Sequence, residues 1–142
     1  MEIFALTPAP IVRLLENRWF GLLARITLTF PYWTSGIAKL LNLKGALAEA
    51  HALGLHPAVP IIAVTIFVEL GASLAVISSR LTWLAAGALG VFTAIAAAIA
   101  YPFWADPDTI VRFTDRNAFF EHIGLIGGCV LASILADREH RQ

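Results

Sequence analysis

The sequence predicts an all-α protein: an integral membrane four-helix bundle, with residues 1–142 forming a single domain. Three observations carry this reading. Hydrophobic residues make up 58% of the chain and charged residues 14%, whereas an ordinary soluble domain carries about 25% charged residues. Four windows, 19–41, 57–79, 81–104 and 117–136, each reach the roughly 20 apolar residues that a membrane helix needs. Only four of the chain's twenty charges, Arg25, Lys39, Glu69 and Glu121, fall inside those windows. A greasy soluble core would not segregate its charges in this way.

The same composition excludes other classes. The formal net charge is zero, so there is no basic excess to hold nucleic acid. Cys129 is the single cysteine, which rules out an intrachain disulfide framework, and the apolar content is too high for disorder. Alternation of apolar and polar residues over about ten positions is absent, which argues against a membrane β-barrel.

In chain order, Thr7-Pro8-Ala9-Pro10 reads as irregular. Residues 11–18 read as an amphipathic interfacial turn of helix, with Arg13, Glu16 and Arg18 facing water. No secretory signal peptide is evident. Pro31 lies inside the first window and is expected to kink that helix, because it lacks an amide proton and crowds the preceding turn. The third window has no Asp, Glu, Lys, Arg or His and is rich in Ala and Gly, which favours close helix packing. The expected connections are residues 42–56, Arg80 alone, and residues 105–116. Four spans place both termini on one side. Arg13, Arg18, Arg80, Arg138 and Arg141 on that side outnumber Lys44, Arg112 and Arg116 on the other. The positive-inside rule then puts the termini in the cytoplasm of a multi-pass plasma-membrane protein.

Charges at membrane depth are costly and usually face the bundle interior in pairs. At about 1.5 Å rise per residue, Arg25 and Glu69 fall in the inner half or middle of their windows, and Lys39 and Glu121 near the outer end. The expected pairs are therefore Arg25–Glu69 and Lys39–Glu121, with His122 beside the second. Such pairs serve equally well to fix helix register, and Lys39 could snorkel to the headgroups. The sharper alternative is a polar pocket for a quinone-like or other small redox ligand, or a proton relay.

Other signals are weaker. His51, His56, Glu121 and His122 match no metal-ligand spacing, so no metal site is assigned. Asp106, Asp108 and Asp115 lack the glycine and bidentate glutamate of a calcium loop and read as a solvated acidic stretch. Cys129 reads as a small packing residue. Gly124, Gly128 and Ala132, like Gly71 and Ala75, recur every four residues and suit close helix approach, within the chain or in a homodimer. Tyr32, Trp33, Trp83, Tyr101 and Trp104 fall near window ends, as interfacial anchors do.

Arg25, the stretch Phe30-Pro31-Tyr32-Trp33-Thr34-Ser35-Gly36-Ile37-Ala38-Lys39-Leu40, and Glu69-Leu70-Gly71 together resemble the DoxX family of small four-span membrane proteins. Phe103-Trp104, Asn117-Ala118-Phe119-Phe120 and Gly127-Gly128 extend the resemblance over residues 19–136. Two positions depart from it. Glu121-His122 stands where many members have Lys-Asn, reversing the local charge, and Tyr101-Pro102 stands where a His often precedes the Phe-Trp pair. The paired cysteines of related thiol-redox families are absent.

The resemblance implies a subunit or accessory factor of a membrane redox system, a quinone-linked oxidoreductase, with a protein partner in that complex. Its polar cluster would be Arg25, Ser35, Lys39, Glu69, Glu121 and His122, with quinone as the candidate ligand. No nucleophile–base pair points to a catalytic site. Two alternatives stand beside this reading: a non-catalytic membrane scaffold or assembly partner, and a small-molecule permease. Four short helices without broken inverted repeats argue against the permease.

Overall fold

The computed structural model describes residues 7–140. Arg141, which enters the orientation argument, lies outside them. The described residues are all-helical. The helices are α1 (Ala9–Leu15), α2 (Arg18–Leu41), α3 (Leu43–Ala52), α4 (Ala58–Ile77), α5 (Thr82–Ala100) and α6 (Thr109–His140).

Local chemistry sets the boundaries. Pro10 sits in the first turn of α1, where the missing amide is harmless. Asn17 caps α2 by accepting from the Trp19 and Phe20 amides. Asn42 ends α2 and starts α3, its side chain accepting from the Gly45 amide at 3.0 Å. α2 continues through Pro31. α5 stops at Ala100, because Pro102 disfavours helical geometry at Tyr101. At the start of α6, the Asp108 carboxylate accepts from the Ile110 and Val111 amides at 2.8 and 3.0 Å. These bonds hold the Asp108 carboxyl below its ordinary value. The acidic stretch is thus partly a helix start: Asp106 in turn accepts from the Asp108 amide.

Three of the expected connections need correction. Residues 42–56 contain the ten-residue helix α3, whose Ala46 and Ala50 pack on Ala58 and Ile62 of α4. The turn between α4 and α5 is Ser78–Leu81 rather than Arg80 alone, with Ser79 and Leu81 at positive φ. The α5–α6 connection occupies residues 101–108, because α6 begins well before the expected window.

Three helices among the described residues are long and apolar enough to cross a membrane: α4, α5 and the Thr109–Arg138 part of α6. α2 is 24 residues long, about 36 Å at 1.5 Å per residue, and carries Arg25 and Lys39. α2, α4, α5 and α6 close on one another in a ring: α2 packs on α4, α4 on α5, α5 on α6, and α6 touches α2. The core is built from Tyr32, Val76, Ala85, Ala86, Leu89 and Cys129. Large apolar side chains such as Phe67, Leu74, Val91 and Ile95 are exposed, as suits a chain whose outer solvent is lipid.

Small residues set the helix spacing, although not all of those expected. A Cβ on Gly36 would lie 2.8 Å from the Leu70 side chain and 3.3 Å from the Glu69 Cβ, so α2 and α4 touch there. A Cβ on Gly128 would lie 3.0 Å from Leu28, joining α6 to α2. Gly71 and Gly124 face open space, so the small-residue spacing serves packing within the chain only in part.

Candidate functional site

Gly36 fixes the register of α2 against α4, and the register decides which charges meet. Lys39 lies one turn beyond Gly36, and helical side chains lean back towards the N-terminus, which carries its ammonium to the level of Glu69. Lys39 Nζ donates to Glu69 Oε1 at 3.0 Å and Oε2 at 3.2 Å, and also to Ser35 Oγ. The carboxylate side chain is 5% exposed and the lysine side chain 18%. The lysine's three N–H bonds are therefore all engaged.

This pairing corrects both expected ion pairs. Arg25 is eleven residues from Gly36, about 16 Å further along the antiparallel helix, and so out of reach of Glu69. The Arg25 Nε is buried and makes no hydrogen bond in the structure. Glu121 is exposed and does not meet Lys39. The charges pair differently because α4 does not begin level with the end of α2. From the Gly36–Glu69 contact, α4 extends about 16 Å to Ala58 and α2 about 8 Å to Leu41. The difference is close to one helix diameter, and α3 fills it by packing on the first turns of α4.

The pair forms part of the wall of a cavity of about 690 Å³, within the range of about 300–1,000 Å³ for small-molecule sites. α2, α4, α5 and α6 all contribute lining side chains, as do Glu49 and Ala50 of α3 and Leu53 just after it. Most of the lining is apolar. Val64, Ile95 and Ile99 line the cavity and are themselves exposed, so its opening is flanked by apolar side chains of α4 and α5.

His122 also lines the cavity. Its Nδ1 donates to the Ala118 carbonyl at 2.7 Å, since a carbonyl can only accept, which leaves Nε2 as the lone-pair nitrogen of the neutral ring. Tyr101 lies against this ring with centroids 5.1 Å apart. Of the six expected residues, the structure thus gathers Ser35, Lys39, Glu69 and His122 on one cavity and leaves Arg25 and Glu121 off it.

Sequence reasoning missed three contributors. Tyr32, expected as an interfacial anchor, is 4% exposed. Its hydroxyl bonds Thr93 Oγ1 and, at 3.6 Å, Cys129 Sγ. Thr93, a polar residue in the apolar middle of α5, is the sequence signal for that contact. Glu49 reaches the cavity because α3 is a helix, and the four-residue spacing of Ala46 and Ala50 was the clue to that helix. Among the described residues, no three or more His, Cys, Asp or Glu side chains form a group able to hold a metal.

The DoxX family model matches residues 20–102, from the first turn of α2 to just past the end of α5. The match takes in Ser35, Lys39 and Glu69, while Glu121 and His122 lie beyond it. No curated protein and no solved structure matches the chain. The chain is a helical membrane protein and belongs to the DoxX family.

Proposed function

We propose that this protein is a subunit or accessory factor of a quinone-linked membrane redox system, and that its cavity holds a lipophilic carbonyl compound of the quinone class. The observation that carries the reading is the cavity itself: about 690 Å³, lined mostly by apolar side chains, flanked at its opening by Val64, Ile95 and Ile99, with Lys39, Glu69, Ser35 and His122 among the polar groups on its wall. Such a site suits a ligand with an apolar tail and a few polar head atoms. When bound, a quinone would supply reversible acceptance of electrons and protons. Lys39 would present positive charge to a carbonyl oxygen, Glu69 would balance that charge, and His122 Nε2 would accept a hydrogen bond from a hydroxyl.

The proposal places α2, α4, α5 and α6 across the plasma membrane with both termini in the cytoplasm, where Arg13, Arg18, Arg80 and Arg138 outnumber the basic residues of the other side. The electron donor and acceptor would belong to a protein partner, or a homodimer would form the docking unit.

A scaffold role without ligand is the second reading. The observation favouring it is that Lys39, Ser35 and Glu69 already satisfy one another. Purification from native membranes in mild detergent, followed by solvent extraction, separates the two. Quinone recovered in proportion to protein supports the first reading. Lipid without quinone, with partner turnover tracking only the amount of assembled protein, supports the second.

A further inference from the structure

A second, smaller crevice of about 250 Å³ lies where α2 meets α3. Its walls include Ala38 and Asn42 of the α2 end and Gly45 of α3, and it shares Ser35, Lys39 and Glu49 with the main cavity. The two spaces therefore adjoin at the polar pole, and their outlets differ in chemistry. The large cavity opens past Val64, Ile95 and Ile99, whereas Ala38, Asn42, Gly45 and Glu49 beside the crevice are exposed at the α3 end of the bundle. The volume accommodates several waters at about 30 Å³ each, with polar partners on its walls.

We propose that this crevice is an aqueous mouth of the cavity, through which water and small cations, protons included, reach the Lys39–Glu69 pair, with Glu49 at its throat setting the preference for cations. Around the throat stand the ammonium of Lys39 from α2 and the carboxylate of Glu69 from α4, with Tyr101 and His122 across the cavity. Two carboxylates against one ammonium leave one negative charge in excess. A narrow cleft with low-dielectric walls focuses that charge on whatever enters. Glu49 is exposed yet lines both spaces, so its carboxylate stands between outside water and the pair. The inference concerns the aqueous end of the site and holds for any occupant of the apolar end.

Cysteine accessibility tests it in lipid nanodiscs, which expose both faces. Cys129, the single native thiol, is replaced by Ala, and one thiol is introduced by Ser35→Cys or, at the crevice wall, by Ala38→Cys. Each variant is treated with a trimethylammonium-ethyl or a sulfonatoethyl methanethiosulfonate, and each rate is divided by that reagent's rate with a small free thiol. Both positions are expected to react, with the cationic reagent faster by about tenfold, and Glu49→Gln should collapse that ratio. A Ser35→Cys thiol inert to both reagents while Ala38→Cys reacts would overturn the aqueous mouth. A ratio near one, or one unmoved by Glu49→Gln, would overturn the role of Glu49. Should Ser35→Cys fail to fold, the Ala38→Cys ratio and its response to Glu49→Gln decide the proposal.

Discussion

Lys39 of α2 and Glu69 of α4 are joined Nζ to Oε1 at 3.0 Å, one turn from the point where Gly36 lets the two helices touch. The contact and the pair are one construction. Without a side chain at position 36, the helices approach closely enough for a lysine leaning towards its own N-terminus to reach a carboxylate on the facing helix. Once there, Lys39 engages both carboxylate oxygens and Ser35, so neither charge faces hydrocarbon unpaired.

Removing one partner should therefore cost more than removing both. Lys39→Met leaves an uncompensated carboxylate and is expected to destabilise the protein by about 3–5 kcal/mol, whereas the double variant Lys39→Met/Glu69→Leu recovers much of that loss. Arg25→Met, which touches neither residue, should show no such coupling with Glu69→Leu. Reversible unfolding in detergent micelles measures all five variants. Coupling of Arg25 rather than Lys39 to Glu69 would contradict the register described above.

The pairing shows what the sequence could and could not convey. Length and apolarity located α4 and α5 and the body of α6, because a membrane helix must be long and apolar wherever it packs. The membrane-depth residues Lys39, Glu69, Ser35 and His122 could be singled out because ionisable and polar groups are rare there. The partners come out wrong, Arg25–Glu69 and Lys39–Glu121 in place of Lys39–Glu69, because depth counted from the window ends misses the offset between helices. α3, hidden in a connection too short and too interrupted by Lys44, Glu49 and His51 to read as a span, shifts α4 relative to α2 by nearly a helix diameter. Tyr32 was misassigned for a related reason: closeness to a window end along the chain does not fix which face of the helix the ring occupies, and Thr93 and Cys129 take its hydroxyl into the core.

Gly36 should tolerate no large side chain. A Cβ there already lies 2.8 Å from two atoms of Leu70, so Gly36→Leu must push α2 and α4 apart. Overpacking of this kind costs about 1–3 kcal/mol and here would also stretch the Lys39–Glu69 pair. Gly124→Leu, built into open space, should leave monomer stability nearly unchanged. The two variants are compared by folded yield on size exclusion and by unfolding midpoint; equal losses at both positions would remove the distinction.

The start of α6 should loosen in acid. The Ile110 and Val111 amides hold the Asp108 carboxyl below its ordinary value. Its contribution is therefore fully present above the ordinary carboxylate range and fades as pH falls through the depressed value. Hydrogen exchange, corrected for its intrinsic pH dependence, should show Ile110 and Val111 losing protection as the pH is lowered. Asp108→Ala should show that loss already at neutral pH. Protection that stays constant across the acid range would show that the carboxylate does not hold this helix end.

Quinone binding in the cavity on the Lys39–Glu69 pair is read by titrating a decyl-substituted benzoquinone into the protein in lipid nanodiscs and following bound ligand against empty nanodiscs. Saturable binding is expected, weakened at least tenfold by Lys39→Met and by His122→Ala, and unchanged by Glu121→Gln, whose side chain lies off the cavity. Partitioning no greater than into empty nanodiscs, or binding indifferent to Lys39 and His122, would contradict quinone binding there.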